Sequence, residues 1–191
     1  MKQVHRFNII IATDSNGGFS YKNKLPWRFL KDSNFYNTIT SSNVNYSNNI
    51  LIMGRKTWDS MRHIVPKNRI VFIITSNCDK YNNEYDENKK KNIYFFPSFE
   101  ESLINAYKLN DSVIWVVGGY QIYDEALNHP HCASIYHTLI AGDFETDKKI
   151  IFNTYNIKWS NVHVETDTNV HDGLNYILYF KKGFIDRHNY N

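Results

Sequence analysis

The sequence predicts an α/β fold built on a mixed, mainly parallel sheet of about eight strands, with flanking helices and an antiparallel C-terminal edge. Short apolar runs alternate with helix-like segments through the first two thirds of the 191 residues, as parallel strands joined by crossover helices do. The last third contains strand after strand, which favours an antiparallel addition at the sheet edge. Because the length suits one domain and no linker or repeat interrupts it, we expect a single domain over residues 1–191.

Apolar runs bounded by glycine, asparagine or charged residues carry the strand predictions. The predicted strands cover residues 7–12, 50–53, 69–74, 93–96, 113–117, 133–141, 159–165 and 176–180. Apolar spacing with a period near 3.6 predicts helices at residues 30–40, 55–58, 99–109 and 121–127. Three polar stretches are expected to be irregular: a flexible loop at 14–18, a linker at 43–49 and an exposed, mobile loop at 77–92.

Composition argues against several classes of partner. The net charge is +3, and the one dense cationic run, residues 89–91, lies beside two acids, so we expect a solvated loop and no nucleic-acid partner. Cys78 and Cys132 are far apart, and neither they nor the eight histidines show metal-ligand spacing, so we expect no metal and a reduced, cytoplasmic protein. No signal peptide is recognisable, and no run approaches the ~18–20 apolar residues of a membrane helix.

Two glycine-bearing strand ends are candidate phosphate sites. Ligands of open α/β sheets bind beyond the carboxyl ends of strands, and Gly54 and Gly118–Gly119 each follow a strand and precede a helix. Such turns present backbone N–H groups to an anion, and residues 55–57 add two cations and a hydroxyl at the first of them. Neither turn has P-loop or Rossmann spacing, and an ordinary strand turn is the alternative interpretation.

Asp32 is the candidate chemical group. It lies five residues after Trp27 on the predicted helix and shares a face with Phe35 and Tyr36. A carboxylate among apolar neighbours is costly unless it is paired. Asp32 is therefore either a helix cap or surface acid, or a group that pairs with a cationic or amidine-like part of a ligand.

Five segments form a pattern by their order and spacing. These segments are Leu25-Pro26-Trp27 with Asp32, Met53-Gly54-Arg55-Lys56-Thr57-Trp58, Arg69 at the start of a strand, Val116-Val117-Gly118-Gly119 with Tyr123, and Thr138 followed by Asp143-Phe144-Glu145-Thr146-Asp147. Together, from about residue 7 to residue 180, they resemble those of dihydrofolate reductases. Each motif alone is of moderate specificity, whereas the combination is highly specific.

The resemblance implies that the chain reduces 7,8-dihydrofolate to tetrahydrofolate by hydride transfer from NADPH, in support of one-carbon metabolism and thymidylate and purine synthesis. It implies that Asp32 acts on the pterin, with help from Thr138 and a water near Trp27, and that Arg69 holds the α-carboxylate of the glutamate tail. It also implies that antifolates such as methotrexate bind and that the chain is a monomer. The loop at 14–24 is expected to exclude water from the reaction.

The implied contacts fall into two sets. Implied substrate contacts are Ile10, Ile11, Leu25, Asp32, Tyr36, Arg69, Val117, Tyr123 and Thr138. Implied cofactor contacts are Ala12, Gly18, Phe19, Gly54, Arg55, Lys56, Thr57, Thr75, Ser76, Val117, Gly118, Gly119, Tyr120, Gln121, Ile122 and Tyr123.

The chain departs from the family pattern at four positions. Ser20 stands where glycine is usual, Ser33 where a large apolar residue is usual, Tyr36 where phenylalanine is usual, and Pro97 where an arginine often supports the 2′-phosphate of NADPH. Two alternatives stay open at this point: a related reductase of another pterin or of a pyrimidine riboside, and a folate- or NADPH-binding homologue with weak turnover. A substrate without a glutamate tail would make little use of Arg69, and the departure at Ser20 is the support for the binding homologue.

Overall fold

The computed structural model describes residues 5–41, 49–61, 63–64, 66–84, 92–109, 112–152 and 157–186. In chain order they form β1 (Phe7–Thr13), β2 (Gly18–Ser20), α1 (Leu30–Thr40), β3 (Asn49–Gly54), α2 (Arg55–Ser60), β4 (Arg69–Ile74), α3 (Cys78–Glu84), β5 (Ile93–Phe96), α4 (Phe99–Ala106), β6 (Ile114–Val116), α5 (Tyr120–Asn128), β7 (Cys132–Ile140), β8 (Lys148–Lys149), β9 (Ile157–Thr168) and β10 (Asn175–Ile185). The chain divides into two compact units. The first unit contains Met1–Phe7 and Thr40–His131, and the second contains Asn8–Ile39 and Cys132–Asn191. The single domain expected from the sequence stays a prediction.

The first unit contains four parallel strands in the order β5-β4-β3-β6. Residues 50–53 of β3 are fully buried, which explains why this strand is a continuous apolar run rather than an alternating one. Helix α4 begins where the Ser98 hydroxyl accepts a hydrogen bond from Glu101 N at 3.2 Å. Its apolar side, with Phe99, Leu103 and Ala106, is buried.

The second unit contains strands in the order β1-β7-β10-β9, and β10 pairs antiparallel with both of its neighbours. The short strands β2 and β8 form a separate two-stranded sheet. The two four-strand runs belong to one eight-stranded sheet. The predicted mixed sheet of about eight strands with an antiparallel C-terminal edge is therefore confirmed.

One irregular stretch was predicted wrongly. Helix α3 occupies the start of the polar segment 77–92, which was expected to be a mobile loop. The helix has a packing partner, because the Tyr81 ring stacks on Phe95 with centroids 5.3 Å apart. Its start is fastened where Asn77 N donates to Thr75 Oγ1 at 3.3 Å. The cationic run at 89–91, most of the predicted linker and the C-terminal residues lie outside the described residues.

Two smaller findings complete the comparison with the sequence. The strands β2 and β8 were not predicted, because segments of two or three residues have no periodic signal of their own. Within the described ranges, none of the helices is long and apolar enough to cross a membrane.

Candidate active site

Asp32 lies in the first turn of helix α1, and a residue of strand β9 caps this turn. Lys31 N donates a 2.8 Å hydrogen bond to Asp167 Oδ2, a carboxylate of β9. The acceptor at this helix start therefore comes from a residue 136 positions along the chain rather than from the residue before the helix. Asp167 thereby fixes the helix turn that carries Asp32.

The carboxyl of Asp32 has a perturbed pKa. This pKa is raised from its ordinary value of 3.8 to about 6, chiefly by burial and in part by the negative charge of nearby Asp167. The Thr138 hydroxyl acts in the opposite direction, because it donates a hydrogen bond that favours the ionised carboxylate. Asp32 is thus a half-buried acid that can change its charge near neutral pH, which is the range a proton-handling group needs.

Trp27 presents a buried donor. Its side chain is 2% exposed, and its ring packs edge-on against Phe144 at a centroid distance of 5.0 Å. Among the described residues, no hydrogen-bond partner meets the indole Nε1–H, although this atom is buried. Because a buried N–H without a partner costs free energy, it suits a bound water or a ligand acceptor. This observation fits the water expected beside Trp27.

The helix around Asp32 carries two of the family departures. Phe35 is buried and packs against Phe180 at 4.7 Å and His163 at 5.9 Å. Tyr36 is half-buried on the same helix. The hydroxyl of Ser33 donates back to the Phe29 carbonyl at 2.9 Å, so the helix itself satisfies this polar group.

Asp14 organises the loop after β1. Its side chain is fully buried, and Oδ1 accepts hydrogen bonds from Asn16 N at 2.8 Å and Gly18 N at 2.7 Å. Its second oxygen accepts from Phe144 N at 3.3 Å. The loop is fastened again where Lys22 N donates to the Asp147 carboxylate at 2.9 Å. The segment expected to exclude water is therefore held to residues 144–147 of the same unit.

The other predicted residues of the second unit lie on β1, β2 and the approach to α1. Ile10 and Ile11 are buried on β1, and Ala12 is half-buried there. Gly18 and Phe19 are buried on β2. Leu25 is 54% exposed, so its side chain is accessible to a ligand.

A buried histidine stands beside Thr138 on β7. His137 Nε2 lies 2.9 Å from the Thr13 hydroxyl, and its ring contacts Trp159 at a centroid distance of 5.6 Å. Burial lowers the pKa of His137 from 6.5 to about 3, and the positive charge of Lys181 adds to the effect. His137 is therefore a neutral group at physiological pH.

In the first unit, the two glycine turns lie against each other. Gly54 N donates a 2.7 Å hydrogen bond to Gly118 O, and a Cβ on Gly119 would lie 3.1 Å from Thr57 Oγ1. Gly118 has φ of +109°, and a Cβ there would lie 2.8 Å from the Tyr123 ring. A side chain at this position would be strained and would collide with the Tyr123 ring, so glycine leaves the backbone of the turn uncovered.

Cations and hydroxyls surround this pair of turns. Arg55, Lys56 and Thr57 form the first turn of α2, while Tyr120 begins α5. Thr75 is buried and Ser76 is exposed, both directly after β4. Of the remaining predicted contacts, Val117, Ile122 and Tyr123 are buried and Gln121 is exposed. Bare backbone, two cations and hydroxyl donors fit the phosphates of a dinucleotide.

Arg69 is a buried cation at the start of β4. It is 4% exposed, and its Nε donates to Thr40 O at 3.2 Å while Nη1 donates to Lys67 O at 3.3 Å. Asn49 Nδ2 donates to the same Thr40 carbonyl at 3.0 Å. A guanidinium held in place by carbonyls suits planar, bidentate binding of a carboxylate.

The sequence interpretation missed Asp14 and Asp167. For Asp14 a signal was present, because an aspartate three and four residues before two glycines in a polar stretch is typical of a side chain that closes a turn. For Asp167 no local signal exists, since its partner Lys31 N is far away in sequence. Among the described residues, no group of three or more histidine, cysteine or acidic side chains is placed to hold a metal ion.

Comparison with known proteins gives one family. The family profile described as dihydrofolate reductase matches residues 6–181. A dihydrofolate reductase of Heliothis virescens is 33% identical over 151 residues, which are 77% of this chain and 79% of that protein. A bifunctional dihydrofolate reductase-thymidylate synthase of Paramecium tetraurelia is 30% identical over 89% of this chain, but the match covers 33% of that longer protein. Dihydrofolate reductase from Enterococcus faecalis, solved in complex with NADP(H) and RAB-propyl, superposes with a TM-score of 0.69 and 25% identity, covering 94% of this chain and 96% of that chain.

Proposed function

Because the chain belongs to the dihydrofolate reductase family, we propose that it reduces 7,8-dihydrofolate to tetrahydrofolate with NADPH as hydride donor. The observation that carries the proposal is Asp32, a carboxyl held by Thr138 on a helix whose approach contains the buried Trp27. Tetrahydrofolate serves one-carbon metabolism and nucleotide synthesis, so the proposed role lies there.

On the substrate side, the residues bind and polarise the pterin. The Asp32 carboxylate accepts hydrogen bonds from pterin N3–H and the 2-amino group, and Thr138 orients that carboxylate. A water on Trp27 Nε1 assists, and the carboxyl with a pKa of about 6 favours the protonated form of the substrate at N5. Arg69 holds the α-carboxylate of the glutamate tail by a charge-assisted pair.

On the cofactor side, the residues hold and position. When bound, NADPH supplies the hydride that is added at C6 of the pterin. Arg55, Lys56, Thr57 and Ser76 bind the phosphates, and the turn Gly118–Gly119 lets its backbone lie close to the dinucleotide. The loop held by Asp14 excludes water.

A spectrophotometric assay of NADPH oxidation, with and without dihydrofolate and repeated with NADH, tests the proposal. We expect turnover that depends on dihydrofolate, and we expect Asp32→Asn to lose most of it at neutral pH. The control Asp124→Asn, which removes an exposed carboxylate from α5, should keep the activity. If Asp32→Asn turns over dihydrofolate as fast as wild type, the proposed role of Asp32 is refuted.

The same assay separates the alternatives. An unchanged KM for dihydrofolate in Arg69→Ala would favour a reductase of a substrate without a glutamate tail. Tight methotrexate binding without measurable turnover would favour a binding homologue.

Three finer properties complete the proposal. We propose that methotrexate binds the chain, that the chain is a monomer and that it works in the cytoplasm. Titration calorimetry with methotrexate, light scattering on a sizing column and cell fractionation measure the three properties.

A further inference from the structure

Helix α2 carries an acid that holds one of the proposed phosphate ligands. Asp59 lies one helical turn after Arg55, and its Oδ2 forms an ion pair with Arg55 Nη1. The second oxygen of the same carboxylate lies 3.1 Å from His63 Nε2. One carboxylate therefore lies between two groups that could otherwise face an anion.

The pair is reachable from solvent and has a defined geometry. The side chain of Arg55 is 36% exposed and that of Asp59 is 39% exposed, so a ligand can reach the guanidinium without unfolding the helix. His63 is held in turn by its ring, which stacks on Trp58 with centroids 5.4 Å apart and planes 7° apart. Arg55 thus meets an incoming ligand with its charge already offset.

We propose that Asp59 is a specificity-determining residue that narrows the preference for NADPH over NADH. The inference rests on the proposed function, in which Arg55 binds a cofactor phosphate. An arginine beside the adenosine ribose can accommodate the 2′-phosphate of NADPH, as it does in Rossmann domains, and we assign this role to Arg55. By holding Arg55, Asp59 places a negative charge beside the guanidinium that the 2′-phosphate must approach.

The effect discriminates between the two cofactors because they differ only at that group. The 2′-phosphate is an anion near neutral pH, so the Asp59 carboxylate repels it, while the uncharged 2′-hydroxyl feels no such repulsion. Removing the acid also frees Nη1 of Arg55 to pair with phosphate oxygen. Both consequences of losing Asp59 raise the affinity for NADPH, and neither raises the affinity for NADH.

Asp59→Asn tests the inference in a binding assay that needs no turnover. Titration calorimetry measures the affinities of the protein for adenosine 2′,5′-bisphosphate and adenosine 5′-monophosphate, which differ by the 2′-phosphate alone. In the variant we expect affinity for the bisphosphate to rise roughly three- to tenfold, a modest gain because the pair is exposed and screened, with no change for the monophosphate. Asp59→Glu keeps the charge and should return the ratio toward the wild-type value.

Two further variants isolate the cause. Asp124→Asn removes an exposed carboxylate from α5 of the same unit and should leave the ratio unchanged. In the Arg55→Ala background, Asp59→Asn should give a smaller gain than it gives in wild type, because only the direct repulsion of the 2′-phosphate remains. A gain of the same size without Arg55, or an unchanged ratio in Asp59→Asn, overturns the inference. Wild-type protein that binds neither the bisphosphate nor NADPH overturns the proposed function as well, so the two failures are distinguishable.

Discussion

Replacing Asp32 with asparagine is expected to stabilise the fold while it removes activity. A carboxyl whose pKa is raised on folding binds its proton more tightly in the native state than in the unfolded state. Its ionised form therefore destabilises the native state at any pH above the folded pKa. Asparagine keeps an acceptor for the Thr138 hydroxyl but carries no charge, so the destabilisation disappears.

The magnitude follows from the two pKa values. The step from 3.8 to about 6 corresponds to up to about 3 kcal/mol at 1.36 kcal/mol per pKa unit. The sign is fixed by the direction of the step. The gain of Asp32→Asn over wild type should be complete above about pH 6, shrink as the pH falls, and vanish below about pH 4, where the wild-type carboxyl is protonated in both states.

Urea unfolding at pH 8, 6 and 4, followed by circular dichroism, measures the free energy of unfolding for both proteins. Asp143→Asn, at an exposed acid of the same unit, is the matched control and should show no such pH-dependent gain. If Asp32→Asn is no more stable than wild type at pH 8, or if its gain is the same at pH 4 and pH 8, burial of the Asp32 charge is not the cause.

Three other substitutions follow from the same contacts. His137→Gln should resist acid better than wild type. Burial lowers the pKa of His137 to about 3, so wild type loses up to about 5 kcal/mol of stability as the pH falls from 6.5 to 3. Urea unfolding at pH 7 and 4.5 measures this loss, and an equal loss in both proteins would contradict the prediction. Asp167→Asn keeps the helix-cap acceptor but removes a charge that raises the pKa of Asp32. The limb of the pH profile of kcat/KM that reports Asp32 should therefore move to lower pH, whereas Asp167→Glu should leave it in place. An unmoved limb in Asp167→Asn would argue against the coupling of the two acids. Gly118→Ala puts a Cβ 2.8 Å from the Tyr123 ring at a φ of +109°. The variant should therefore unfold at a lower temperature and bind NADPH more weakly in a titration. Wild-type values for both measurements would refute the packing argument.

Local pattern sufficed where neighbouring residues decide the structure. Helix α1 has the predicted bounds, residues 30–40, because the spacing within that segment indicates a helix, although Asp167 of β9 also caps its first turn. The strands at 50–53 and 69–74 were equally readable, since buried parallel strands are continuous apolar runs. The pairing of Gly18 with Lys149 was not, because each partner lies in a segment too short to carry a pattern.

The candidate site divides in the same way. The residue types and their order, from Trp27 and Asp32 to Thr138, are present in the sequence and led to the family, which the comparisons confirm. The roles assigned to individual residues remain predictions. The ion pair of Arg55 with Asp59 could have been read from their helical spacing, yet its meaning for a cofactor phosphate depends on the glycine turns that lie against α2.

The sequence by itself determined which chemical groups the protein has, the order in which they occur and most of the elements that carry them. Only the tertiary structure decided their chemical state. The pKa of Asp32 depends on its burial, Thr138 and Asp167, and that of His137 on its burial and Lys181. These three neighbours lie on strands far along the chain from the groups that they affect. The physical reason is that burial and electrostatic interaction act through space, so distances along the chain do not determine them.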